Sequence, residues 1–147
     1  MTTGSSNSYF GAVAGNSSTF ASFNSAFGRL SLSVNTAAGN SAFGAFSLQS
    51  CTTGDSNSAF GVQSLLSLTS GIRNSAFGYN SLLSSTIGNN NTAFGYDAGR
   101  YAGSGTTANQ TSFNSLYLGA STRSSASGNT NEIVIGYNVV GLGSKVS

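Results

Sequence analysis

Three carboxylates, one thiol and no imidazole are what this 147-residue chain offers to chemistry: Asp55, Asp97, Glu132 and Cys51, with no His. Two carboxylates hydrolyse a glycoside when they face each other at about 5–10 Å. These three stand far apart along the chain and read as solvated turn residues. A zinc site would have to be built from Cys51 and those scattered acids, and zinc prefers clustered Cys and His. Calcium-binding repeats need several Asp per repeat, and here most of the chain carries none; a single ion on a symmetry axis is the remaining metal alternative. Cys51 has no basic neighbour to form a thiolate, so it reads as a small tolerated residue. No catalytic residue, cofactor or metal is expected, and the chain reads as a non-enzyme.

Charge and composition exclude further classes. Five Lys/Arg, among them Arg29, Arg73, Arg100 and Arg123, are dispersed rather than gathered into a patch for nucleic acid. No apolar run approaches the ~18 residues of a membrane span, and MTTGSSNSYF lacks the regions of a secretory signal. A lone Cys cannot form an internal disulfide and fits assembly in a reducing cytoplasm. More than half of the chain is Ser, Gly, Asn or Thr, with no Pro and no Trp. Such polarity often means disorder, but ten Phe and six Tyr fall at regular positions.

The regularity is a repeat. NSYFG at 7–11 is followed by NSAFG at 24–28, 40–44, 57–61 and 74–78, and by NTAFG at 91–95. The closing glycines, Gly11 to Gly95, are spaced by 17, 16, 17, 17 and 17 residues. A gap of 24 leads to Gly119 in SLYLG, and one of 17 to Gly136 in EIVIG, giving eight units. Ser-Leu recurs at Ser31-Leu32, Ser47-Leu48, Ser64-Leu65 and Ser81-Leu82, replaced by Ala14-Gly15 and Ala98-Gly99 in two units. Threonines recur at Thr19, Thr36, Thr52, Thr69 and Thr86, and a second glycine at Gly54, Gly71, Gly88 and Gly105.

Each unit reads as strand, turn, strand, turn. Ser-Ala-Phe is a short extended stretch with Phe on one face and Ala on the other. Ser-Leu-x-Ser reads as a second strand, and Thr-x-Gly-x-x-Asn as turn chemistry. One unit cannot bury a core alone, so the units must stack. The expected core ladder is Phe10, Phe27, Phe43, Phe60, Phe77 and Phe94, continued by Leu118 and Ile135, beside a second column of Leu32, Leu48, Leu65 and Leu82. Asn7, Asn24, Asn40, Asn57, Asn74 and Asn91 form an expected amide ladder at a turn. The fold class is all-β, a repeat protein of about eight 17-residue units, as a β-roll, β-helix or β-prism. At ~4.8 Å per rung the rod is roughly 40 Å long. A rod so thin leaves apolar surface in water, which predicts self-association around or along its axis. The threonine column is one residue wide, which favours turn hydrogen bonding over ice binding.

The repeat resembles those of bacteriophage tail-fibre and host-specificity proteins, most closely in GYNSLLSSTIGNNNTAFGYDAG at 78–99. IVIGYNVVGLGS at 133–144 resembles the head repeats of trimeric autotransporter adhesins, which are left-handed parallel β-rolls. The resemblance covers residues 7–144. The units depart from the adhesin pattern where Ser or Thr replaces the first apolar residue of the strand, and in their longer period. The resemblance implies a homotrimeric phage or phage-like fibre, a rigid shaft or tip segment used in host attachment. Its place would be the virion or the extracellular medium. In such fibres a stretch like NEIVIGYNVVGLGSKVS precedes a self-removing chaperone domain, which implies a trimmed segment. Bacterial adhesin heads and ice-binding solenoids are the alternatives.

The chain divides into a lead-in at 1–6, six regular repeats at 7–95, a repeat-breaking insertion at 96–114, and two further repeats with a tail at 115–147. Insertions into repeats map to loops, and loops carry binding. Tyr96, Asp97, Arg100 and Tyr101 are therefore the candidate contacts for a receptor, such as a host glycan or protein, or for a neighbouring subunit.

Overall fold

The computed structural model describes residues 4–18 and 20–143. Thr19, the first member of the threonine column, lies outside them, as do residues 1–3 of the lead-in and residues 144–147 of the tail.

The described chain is a parallel β-solenoid of about seven turns. One short strand per turn stacks into an eight-stranded parallel sheet: β1 (Ser8–Phe10), β2 (Ser25–Phe27), β3 (Ser41–Phe43), β4 (Ser58–Phe60), β5 (Ser75–Phe77), β6 (Thr92–Phe94), β9 (Leu116–Leu118) and β10 (Ile133–Ile135). Register is kept throughout: Ser58, Ala59 and Phe60 pair with Ser75, Ala76 and Phe77, and so on along the rod. β7 (Tyr101–Ala102) and β8 (Thr107–Ala108) form a small antiparallel hairpin beside the stack.

The core corrects the expected assignment of faces. Ala26, Ala42, Ala59, Ala76 and Ala93 are fully buried, while Phe10, Phe27, Phe60, Phe94, Leu118 and Ile135 are exposed and Phe43 and Phe77 half-buried. The Phe ladder exists, but on the outside of the sheet with the Ser column. The Leu column does lie inside, with Leu32, Leu48, Leu65 and Leu82 packed against the Ala column. A strand of three residues sends only its middle side chain inward. The turn around it is too narrow to seat Phe opposite Leu.

The narrowness comes from left-handed corners. In one turn Gly61, Gln63, Leu65 and Arg73 have φ of 140°, 60°, 51° and 55°. Three of these are not glycine, a cost on the order of 1–3 kcal/mol each. The expected second strand is therefore absent: the Ser-Leu segment is a run of turns. Leu65 curls inward there, and burial offsets its strain by about 1.5–3 kcal/mol. Ser64 stabilises the same corner, its Oγ donating to the Gly61 carbonyl at 2.9 Å, as Ser31, Ser47 and Ser81 do in their turns. Gly61 itself cannot be replaced, because a Cβ there would lie 2.4 Å from the Gly78 carbonyl oxygen.

The Asn column is an internal hydrogen-bonded spine. Asn74 Nδ2 donates to Asn57 Oδ1 at 3.1 Å and to the Gly88 carbonyl at 2.7 Å, and its backbone N–H donates to Asn57 Oδ1 at 2.9 Å. Asn24, Asn40, Asn57, Asn74 and Asn91 are buried, and the spine starts at Asn7, whose Oδ1 accepts from the Asn24 N–H at 2.9 Å. It passes to Ser115 and ends at Glu132, whose N–H donates to Ser115 Oγ at 3.2 Å.

Candidate functional site

The site with the greatest extent is the outer face of the sheet. Phe27, Phe43, Phe60 and Phe77 stack nearly parallel, with ring centroids 4.8, 4.7 and 5.0 Å apart. The ladder loosens towards Phe94 at 5.6 Å and towards Phe10 at 6.3 Å. Exposure rises with the loosening, to 57% at Phe94 and 75% at Phe10. Leu118 and Ile135 continue it, while Leu116 and Ile133 make the Ser column apolar as well. Stacked aromatic pairs contribute about 0.5–1.5 kcal/mol each, so the ladder is ordered before anything covers it. Contiguous apolar stripes of this length are uncommon on the surfaces of monomeric proteins, which makes this face the candidate for contact with another molecule.

A second feature is the hairpin. β6 pairs directly with β9, so the sheet runs past the insertion without a break. Only the stretch around β7 and β8 leaves the stack, and its base stays attached through Ala102 and Ser124. Of the four candidate contacts, three come together here. Arg100 Nη1 bridges to Asp97 Oδ1 at 3.0 Å, and its guanidinium lies 4.6 Å from the centre of the Tyr101 ring. Tyr96 stands apart, stacked on Tyr79 at 5.5 Å.

The remaining chemical groups are inward or engaged. Glu132 corrects the expectation of three solvated acids: it is 1% exposed, while Asp55 is exposed. Its carboxylate accepts from Ser124 Oγ at 2.5 Å, the Ser125 N–H at 3.1 Å and the Gly143 N–H at 3.0 Å. The signal was present in the sequence, because Glu132 stands in register with the Asn column. Cys51 is buried, its Sγ donating to the Gly54 carbonyl at 3.2 Å. Burial first, and the nearby Asp55 carboxylate with it, push its thiol from 9.0 up to about 11. Among the described residues, no three His, Cys, Asp or Glu gather as a metal site, and no helix is long and apolar enough to cross a membrane. The hydroxyls of Thr36, Thr52, Thr69 and Thr86 each donate to a carbonyl of the next turn, at 2.6, 3.1, 3.0 and 3.2 Å.

Comparison with family models, curated proteins and solved structures finds no match for the chain.

Proposed function

We propose that the protein is a structural component of a phage or phage-like fibre, a rigid homotrimeric shaft or tip segment that serves host attachment. The observation that carries this reading is the outward Phe ladder. Eight in-register apolar side chains lie on one flat face of a rod whose core is complete without them. Copies of the same chain share the ladder's spacing rung for rung, so three such faces cover one another about a common axis. The repeat motifs that resemble tail-fibre sequences supply the biological setting, a virion or extracellular fibre. The Asp97–Arg100–Tyr101 cluster is then the contact for a host glycan or protein. Engagement of the threonine hydroxyls weighs against an ice-binding reading.

Light scattering on a sizing column, before and after heating in detergent, tests the proposal. A mass near three times 14.7 kDa that survives detergent until heated supports it. A clean monomer at all concentrations defeats it.

A further inference from the structure

We propose that the protein grips a hexopyranose ring of a surface glycan between the rings of Tyr96 and Tyr137, in a slot that Ala120 leaves open between them. This rests on the attachment role proposed for the fibre for the presence of a glycan, and adds the class of sugar and the side chains that hold it.

The slot comes from one small residue in a column of tyrosines, one step past the glycine corner from the Phe ladder. Tyr79 and Tyr96 occupy adjacent rungs of that column and stack, with centroids 5.5 Å apart and planes 6° from parallel. Ala120 holds the next rung and Tyr137 the one after. Backbone bonds fix this register: Ser121 N–H donates to the Tyr96 carbonyl at 2.7 Å, and Asn138 N–H to the Ala120 carbonyl at 3.0 Å. The three corners share one conformation. Gly95, Gly119 and Gly136 have φ of 139°, 120° and 134°, and Asp97, Ser121 and Asn138 have φ of 52°, 56° and 56°. Tyr79 covers one face of Tyr96, and the other face is turned to the rung of Ala120, whose methyl cannot fill it. Tyr96 and Tyr137 are both exposed. Two rungs at ~4.8 Å set their rings roughly 10 Å apart. A ring seated over Ala120 stands about 5 Å from each, a distance at which ring faces stack.

The polar groups that a sugar needs stand one residue further along the same three corners, at Asp97, Ser121 and Asn138. The outer two are each held by an arginine. Arg100 Nη1 bridges to Asp97 Oδ1 at 3.0 Å, and Arg123 Nη1 donates to Asn138 Oδ1 at 2.6 Å. Those bonds orient both side chains and leave Asp97 Oδ2 to accept from a hydroxyl and Asn138 Nδ2 to donate to one. Aromatic walls with a few fixed polar groups are the ordinary composition of a small-ligand site. The double wall selects the sugar. Aromatic faces are negative and attract the C–H groups of a pyranose. A gluco-configured ring carries its hydroxyls equatorially and offers C–H to both faces. A galacto-configured ring turns one hydroxyl towards a face and loses one of the two contacts.

The test is calorimetric titration of the full chain with cellotriose and with β-1,4-galactotriose, with the mass in solution measured on the same samples. Cellotriose should bind, and more tightly than the galactose trimer. Tyr137→Ala should weaken that binding about two- to tenfold, the worth of one ring contact, and leave the thermal melt unchanged, because the side chain is 80% exposed. Ala120→Tyr should abolish binding, because a further stacked ring fills the slot, while the fold is kept. If Ala120→Tyr does not fold, Tyr137→Ala decides the matter. A wild type that binds no cellotriose overturns the proposal, as does equal binding of the two trimers or full binding by either folded variant. The mass separates this result from the fibre reading. Assembled chains that bind no sugar defeat the slot alone, and a monomer that binds cellotriose keeps the slot and defeats the fibre.

Discussion

Cys51 shows how much a single inward position constrains. Ser18, Asn35, Leu68 and Ser85 occupy the same column in other turns, and all are buried. The folded thiol, at about 11, holds its proton where the unfolded chain, at 9.0, releases it. Its contribution to stability is therefore complete below pH 9 and is lost as pH rises towards 11, by roughly 2–3 kcal/mol. Denaturant unfolding from pH 8 to 11 should show that loss, and Cys51→Ser should remove it. Tyr117 offers a second test. It takes the inward place held elsewhere by Ala, and Gly99 takes the place of Leu, because a Cβ on Gly99 would lie 2.7 Å from the Tyr117 ring. At the first turn Gly15 likewise makes room for a tyrosine ring, that of Tyr9 in its own turn, whereas Gly99 makes room for Tyr117 of the following turn. Tyr117→Ala should cost about 3–5 kcal/mol and Gly99→Leu about 1–3 kcal/mol. The double variant restores the common unit and should recover about 1–3 kcal/mol relative to the sum of the two, read by a double-mutant cycle. Both substitutions were visible in the sequence as departures from the unit; that each compensates the other required the geometry.

At the scale of the element, the repeat alone made the register and the stacking legible. The 17-residue spacing and its gap of 24 place every strand of the sheet, including the continuation past the insertion. Which face of Ser-Ala-Phe turns inward was not legible, because alternation in a three-residue strand is the same for either choice. What decides it is the run of left-handed corners at residues such as Gln63 and Leu65, and those residue types give no warning of positive φ. The Asn spine was legible, since a column of amides in register has one favourable arrangement, each amide bonding the next. Asn74→Ala should cost more than an ordinary buried hydrogen bond. It leaves the Asn91 N–H and the Gly88 carbonyl unpaired, a penalty of about 1–3 kcal/mol for each group. Thermal melts of Asn74→Ala beside Ser75→Ala, a half-buried neighbour on the outer face, measure the difference.

For the whole molecule, the interior folds the chain, and the proposed function gives the exterior the separate task of joining copies of it. Ala, Leu and Asn columns fill the turn, and their satisfaction does not depend on Phe. The outer ladder adds stacking energy within one chain, yet Phe27 and Phe60 remain 38% and 37% exposed and the ends of the ladder more so, which is the surface the proposed assembly would cover. Substitutions of Phe should thus separate folding from assembly, whereas an interior ladder would couple them. The measurement that tests this most directly compares the wild type with Phe43→Ser/Phe60→Ser by light scattering and thermal unfolding. The account predicts a variant that keeps its β-sheet circular dichroism and a cooperative melt while its mass falls towards 14.7 kDa. A variant that unfolds outright, or one that keeps the wild-type assembled mass, would contradict it.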